Sequence, residues 1–292
     1  MLRDGRIAEV LRKQDMDHCF LAPRSFGQEG MTEQKLKDPC GIAVNSMGQF
    51  IIGDNGDKNV KVFDRRGQFI NHLSLPGDVD QDVVRHVWHD VASDMNDNIY
   101  LLVSLHKTSS AEPKYFVYKF NHTCELLRKS SVKLGGACYS RCMTVDSKGN
   151  VLVHDFDMIF VYGNDGQFVR SFGKRFLREV IDLTCASGDR VIVVTLLDVH
   201  LFSEQGDHLS AFKVQQWSPF SRIAFHKSSE HVILAEYKHD GLYVEMYTND
   251  GEFLRSTQIG KLFYLVRGVA VTTEGHIAVA CMQQGQWKVL IV

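Results

Sequence analysis

The sequence predicts an all-β fold: a six-bladed β-propeller of four-stranded antiparallel blades, closed by an N-terminal strand. Three observations carry that reading. An aromatic or apolar residue closing a strand before a polar turn recurs as Phe63 (VFDRRGQF), Phe120 (KFNHTCEL), Tyr162 (VYGNDGQF), Phe202 (LFSEQGDHL), Tyr247 (MYTNDGEF) and Leu290 (KVLIV). The intervals are 57, 42, 40, 45 and 43 residues, close to the roughly 40–45 expected of a four-stranded blade. The long first interval has a source in the polar insertion His106–Lys114, HKTSSAEPK. Independently, the apolar run GIAV at Gly41 returns as DVAS at Asp90, CMTV at Cys142, IDLT at Ile181, RIAF at Arg222 and GVAV at Gly268. A third marker, a second short strand, falls at Phe50–Ile52, Ile99–Val103, Val151–Val153, Val191–Val194, Val232–Ala235 and Ile277–Ala280.

Taken in order, Met1–Cys19 reads as an N-terminal extension (1–19) ahead of the propeller (20–292). RDGRIAEVL within it matches the turn and fourth strand of later units, RRGQFINHL at Arg65–Leu73. A short helix with Ile7, Val10 and Leu11 on one side fits it as well. Phe20–Phe26 reads as a strand, Gln28–Lys37 as a polar connector. The first unit then runs Gly41–Val44, Phe50–Ile52, Val60–Phe63 and Gln68–Leu73, with Gly48 and Asp64–Gly67 at its turns. Short runs bounded by Gly and Asp/Asn mark an antiparallel meander, and one such sheet is too small to bury both faces alone. Units follow at 85–128, 139–173, 178–212 (with VIVVTLL reading as a fully buried strand), 219–256 and 264–292. The sixth has room for only three strands before Val292. Because an open ring exposes strand edges, Phe20–Phe26 is expected to supply its outer strand.

The succession FG-x-x-G at Phe26–Gly30, Pro39, GIAV, a strand ending at Asp54, and VFDRRGQF resembles the NHL repeat. That resemblance implies a six-bladed propeller of the kind found as the C-terminal module of the tripartite-motif ubiquitin-ligase family. It spans about residues 20–292. The units at Asp38 and Tyr139 carry it best, those at Phe220 and Val266 fairly. The second and fourth lack the Pro-x-Gly start and the closing Asp. In such relatives the propeller selects targets for a RING domain, and some members bind RNA. This chain shows no RING, B-box or coiled-coil pattern, so it is not expected to be a ligase itself.

With 292 residues, 44% apolar and 23% charged, the chain is ordinary for a globular protein. A net charge of -2 leaves local basic faces open. The 7 Cys are scattered, with no CxxC pair, so a reducing compartment is expected. With no secretory signal at the start and no run of membrane-spanning length, a cytoplasmic protein without membrane association is the expectation.

None of the catalytic motifs HExxH, GxSxG or GxxxxGK[ST] occurs, nor does an EF-hand loop. Cys138 and Cys142 share a strand face near His154 and Asp155, but nothing completes a four-ligand zinc shell. The residues ending the second strands are Asp54, Ser104, Asp155, Thr195, Glu236 and Cys281. A ring of carboxylates there would hold a cation, yet Asp and Ser at strand ends normally fix the following turn. The expectation is therefore no catalytic residue, no metal and no cofactor, with a metal-dependent propeller hydrolase or lyase as a minor alternative. The aromatics Phe63, Phe69, Tyr162, Phe168, Phe202, Tyr247 and Phe253 are expected to form the layer between blades.

Recognition is then left to the loops at the ring faces. The starts of the first strands and the turns between second and third strands share one face. Candidate partner-binding residues on it are Lys58, Trp88, His89, Tyr139, Arg141, Arg178, Phe220, Arg222, Lys238, Tyr264 and Arg267. Basic residues interleaved with aromatics suit single-stranded RNA, but Asp38, Asp57, Asp90, Asp157, Glu179, Asp198 and Asp240 share the rim. Aromatics and Arg are equally what protein interfaces favour. A protein segment is the favoured partner and single-stranded RNA the alternative.

Overall fold

A computed structural model describes residues 24–28, 30–31, 34–75, 83–108, 110, 112–135, 141–214, 221–261 and 263–292. The extension 1–19 and the first part of the expected closing strand lie outside them. Blade 1 comprises β2 (Pro39–Val44), β3 (Phe50–Asp54), β4 (Asn59–Phe63) and β5 (Phe69–Ser74); blade 2, β6 (Val83–Ser93), β7 (Ile99–Lys107), β8 (Lys114–Phe120) and β9 (Leu126–Val132). Blade 3 comprises β10 (Met143–Val145), β11 (Val151–Asp155), β12 (Met158–Tyr162) and β13 (Phe168–Phe172). Blade 4 has β14 (Val180–Cys185), β15 (Val191–Thr195), β16 (Val199–Phe202) and β17 (His208–Phe212). Blade 5 is β18 (Arg222–His226), β19 (His231–Lys238), β20 (Gly241–Thr248) and β21 (Phe253–Gly260). Blade 6 is β22 (Phe263–Val271), β23 (Ile277–Gln283) and β24 (Gln286–Ile291), with β1 (Arg24–Phe26) as its outer strand.

Each sheet is a four-stranded antiparallel meander, and the sixth is ordered β1-β24-β23-β22. Arg24, Ser25 and Phe26 pair with Ile291, Leu290 and Val289, so the two ends of the chain meet in one sheet. Phe26 explains why the clasp holds. Its ring lies 5.0 Å from Phe50 and 4.9 Å from Phe63 of blade 1, in a core shared by blades 6 and 1. The second and third strands are the most buried, as in β3, β15 and β16, where every residue is buried. Their Val/Ile-rich runs suit strands covered on both faces by neighbouring blades.

Two expectations need correction. The insertion in blade 2 is shorter than read: β7 runs to Lys107 and β8 begins at Lys114, with Leu105 paired to Lys114. Apolar alternation in the flanks lets the hairpin absorb the ends of the polar stretch. In the aromatic layer, Phe63, Tyr162, Phe202 and Tyr247 are buried, whereas Phe168 is 56% exposed. Phe69 and Phe253 pack, as expected, against the cores between blades 6 and 1 and between blades 4 and 5 respectively. All three residues that begin these outer strands make edge-on pairs within their own blade: Phe63–Phe69 at 5.8 Å, Tyr162–Phe168 at 5.9 Å and Tyr247–Phe253 at 5.5 Å, a favoured aromatic geometry.

Candidate recognition face and central channel

The innermost strands surround a funnel of about 770 Å³. Toward the face where these strands begin, its wall carries Asp90, Cys142, Asp182, Arg222 and Gly268, with Gly41 of blade 1 packed beside Asp90. These are the first residues of the recurring GIAV, DVAS, CMTV, RIAF and GVAV runs, with Asp182 in the corresponding place in blade 4. An innermost strand has an unpaired edge, so its N–H groups need acceptors. Asp90 accepts from Val91 N of its own strand and Met143 N of blade 3, both at 2.8 Å. Asp182 repeats this one blade later, with Leu183 N and Ile223 N at 2.9 Å. Cys142 lies between them and donates its thiol to Ile181 O at 2.9 Å. On the opposite face, Ser46 is held by Asp97 and Ser147 by Asp189 through both backbone N–H and hydroxyl, at 2.7–2.8 Å.

Ligand atoms of Asp90, Cys142 and Asp182 lie within 4.8 Å of one another. Burial pushes both carboxyls above the usual carboxylate range, and for Asp90 the neighbouring Asp182 adds to it. Each carboxylate is already committed to two backbone donors, so the trio acts as a set of inter-blade staples.

On the recognition face, charge is mostly matched internally. Asp54 accepts from Lys37 N (3.0 Å), Asp38 N (2.9 Å) and Gly56 N (3.1 Å) and pairs with the buried Lys61 at 2.9 Å. Asp57 also meets Lys61, at 2.5 Å. Lys58 is exposed and donates to Asn55 Oδ1 at 2.5 Å; the same oxygen accepts from Trp88 N at 3.2 Å. Trp88, expected at the surface, is only 2% exposed and packs between blades 1 and 2.

Arg141 is likewise inside, at 1% exposure. It pairs with Asp155, donates to Gly135 O at 2.6 Å, and stacks 4.5 Å from the Tyr115 ring centre. His89 is partly exposed; its Nε2 lies 2.9 Å from Ser104 Oγ, which is 3.2 Å from His106 Nε2. Burial, then the nearby Arg141 charge, holds His89 neutral, with its pKa lowered to about 4. Arg222 donates to Ser221 O (2.9 Å) and Arg267 O (3.3 Å). Arg267 meets Asp38 at 3.4 Å and lies 5.6 Å from the Trp287 ring. Lys238 bridges Glu245 at 2.6 Å and Glu236 at 3.0 Å. Arg178 is exposed and makes no ion pair among the described residues. Tyr139, Phe220 and the side chain of Tyr264 lie outside the described residues.

The residues ending the second strands divide in their roles. Asp54 and Thr195 fix the following turn, Thr195 Oγ1 accepting from Leu197 N at 3.3 Å and Asp198 N at 3.1 Å. Asp155 and Glu236 instead neutralise Arg141 and Lys238. Ser104 is held between two histidines.

Two bulky residues are missed or misplaced by the sequence reading. Phe156, in the turn between β11 and β12, is not singled out by it and is 67% exposed. Leu197 reads as the end of the buried strand VIVVTLL, but β15 stops at Thr195 and Leu197 lies in the turn that follows, 71% exposed. Thr195 fixes that turn, so the apolar run continues past the strand and its last residue faces solvent.

No family model matches the sequence. Protein brain tumor from Drosophila melanogaster is 22% identical over 168 residues, 57% of this chain and 15% of that protein. B-box type zinc finger protein ncl-1 from Caenorhabditis elegans is 21% identical over 167 residues, 56% of this chain and 18% of that protein. The chain is similar to the NHL-repeat propellers of tripartite-motif proteins. Its matched stretch is less than a fifth of either curated relative. Solved structures extend the likeness of this propeller at the level of fold alone. A glucose dehydrogenase has a TM-score of 0.62 at 9% identity, covering 93% of this chain and 99% of that one. The virginiamycin B lyase from Staphylococcus aureus has 0.59 at 12%, covering 92% and 99%.

Proposed function

We propose that this NHL-type propeller is a non-catalytic binding module that recognises a protein partner on the face bearing the first-strand starts and the turns between second and third strands. One observation carries the reading. Of the six cations that made this face look suited to RNA, Arg141 is paired with Asp155, Lys238 with Glu236 and Glu245, and Arg267 with Asp38, while Arg222 is turned to two backbone carbonyls, which leaves Lys58 and Arg178 to solvent. What the face offers to solvent is bulky apolar tips with scattered charges of both signs, the composition of a protein interface rather than of a phosphate-tracking groove.

The resemblance to tripartite-motif relatives adds the role of target selection within a ubiquitin-ligase assembly in the cytoplasm. Single-stranded RNA on the same face is the competing reading. Affinity capture from lysate with and without nuclease separates them. Partners that persist after nuclease support the proposal; partners that vanish with it overturn the proposal in favour of RNA.

A further inference from the structure

The turn between β11 and β12 holds its residues in an unfavourable conformation. Asp155 pairs directly with Met158, so Phe156 and Asp157 form a two-residue hairpin turn. Phe156 has φ +58°, at a position where such turns favour Gly. A bulky side chain with positive φ is a steric outlier. The ring gains no burial in return, since it is 67% exposed. Strain without compensating packing, at a solvent-facing site, points to a use outside the fold.

A second feature, in the next blade, faces the same way. In the turn Thr195–Asp198, closed by Thr195 N to Asp198 O at 2.9 Å, Leu196 packs against the core shared by blades 4 and 5. Leu197 is directed to solvent, at 71% exposure. The connector from β13 to β14 runs between these two tips. Its Gly173 lies beside Asp157 O, and Val180, at its far end, pairs with Thr195. The connector carries Lys174, Arg175 and Arg178, all exposed and none in an ion pair among the described residues. Cations elsewhere on this face are largely matched. Asp157, Glu179 and Asp198 lie close by and offset these three charges in sum, so no net positive field is left for a polyanion. What remains is separate cationic groups, unpaired among the described residues, each able to take a single carboxylate placed beside an apolar anchor.

We infer that Phe156 and Leu197, with Arg178 between them, form a two-pronged docking site for an acidic protein segment that carries aromatic or large aliphatic side chains. The inference rests on the reading of this face as a protein-binding surface and adds which blades bind and what chemistry they select. Interfaces concentrate their affinity in a few aromatic and Arg anchors surrounded by near-neutral contacts, and blades 3 and 4 offer such a cluster.

The test is selection of a displayed random-peptide library on the whole chain, followed by affinity measurement of one selected peptide against variants. Enriched peptides are expected to combine Asp or Glu with Phe, Trp or Leu. Phe156→Gly is expected to weaken the peptide at least about tenfold while leaving the thermal midpoint unchanged or higher, because Gly accepts the positive φ. Arg178→Glu is expected to weaken it and Arg178→Lys to retain most of the binding. Peptides that bind Phe156→Gly as well as the parent overturn this site but leave a protein-binding face standing. No enrichment, together with binding of a random single-stranded RNA pool, overturns both readings. No enrichment without RNA binding overturns the docking site alone.

Discussion

The staple at Asp90 makes a sharp prediction about Gly41. A Cβ built on Gly41 would sit against Asp90 Oδ1, closer than any real contact, and 3.0 Å from Val91 N. To admit it, the carboxylate must rotate away and release both Val91 N and Met143 N. Gly41→Ala should therefore cost about what Asp90→Ala costs, since each leaves the same two N–H groups without their acceptor. Leaving a buried donor without its acceptor costs roughly 1–3 kcal/mol, whatever the charge on the carboxyl. Asp90 borders the funnel, so water replaces part of the loss, and about 2–4 kcal/mol is expected for either variant. In the double variant the clash with the carboxylate no longer exists. Its loss should match that of Asp90→Ala alone, a coupling of about 2–4 kcal/mol, the full cost of Gly41→Ala, relative to the sum of the single effects. Denaturant unfolding followed by tryptophan fluorescence reads this directly, because Trp88 and Trp287 are both buried. Additivity within about 0.5 kcal/mol would show that Gly41 and Asp90 do not share one device, and the staple account would fail.

Other expectations follow from the same geometry. Arg141→Met should destabilise the fold by about 3–5 kcal/mol, the loss typical of breaking a buried ion pair by removing one partner, as read by chemical denaturation; a near-neutral result would put the guanidinium outside the core. Burial raises the Glu236 carboxyl to about 7, against the opposing pull of Lys238. Its folded pKa lies above the unfolded value, so its contribution to stability is full below the ordinary carboxylate range and lost as pH rises through about 7. Relative to Glu236→Gln, the parent protein should lose stability between about pH 5 and pH 8, measured as the difference between the two unfolding midpoints; parallel pH profiles would refute the shift. Phe156→Gly should raise stability or leave it unchanged, the relieved strain being about 1–3 kcal/mol less the entropy cost of Gly, about 0.5–1 kcal/mol; a clear loss in a melting experiment would mean the ring packs against the fold.

The ring was readable because its period is written in residues that every blade must bury. Phe63, Tyr162, Phe202 and Tyr247 are buried at one repeat-locked place, and selection for that layer leaves a regular mark on the sequence. The closing strand was readable by counting, and Arg24–Phe26 stands where the count required. The face was read less well, since topology places a residue on a face without telling whether it points outward. Trp88 and Arg141 begin the region where blades 2 and 3 meet the face, and both turn inward because hydrophobic or ionic partners wait there: the core of blades 1 and 2 for Trp88, Asp155 and Tyr115 for Arg141. Counting rim carboxylates indicated that charges nearly cancel but could not show which cations they cancel. Asp90, Cys142 and Arg222 of the belt did leave a signal, in the first column of the recurring inner strands, whereas in blade 4 the run reads one residue early, from Ile181, and the structure puts Asp182 in that place. Its meaning depends on N–H groups of the adjacent blade, which a sequence does not display.

That pairing of charges also bears on how such a propeller can change its ligand without changing its fold. Arg141, Lys61, Lys238 and Arg267 each tie the face together through carboxylates, so their replacement is felt as lost stability before it is felt as lost binding. Substituting them to test recognition would confuse the two effects; Arg141→Glu in particular would place a carboxylate beside Asp155 in a buried site. The turn tips carry no such obligation. Phe156 and Leu197 are attached to the most buried strands, β11 and β15, yet their own side chains are outside the core. A rigid scaffold with unconstrained tips is where binding residues vary most readily. It follows that variants at 156, 178 and 197 should change partner affinity without loss of stability, whereas variants at 61, 141 and 238 should change both together; measuring melting midpoint and peptide affinity across the two groups decides it, and a loss of stability at the tips equal to that at the paired cations would refute the division.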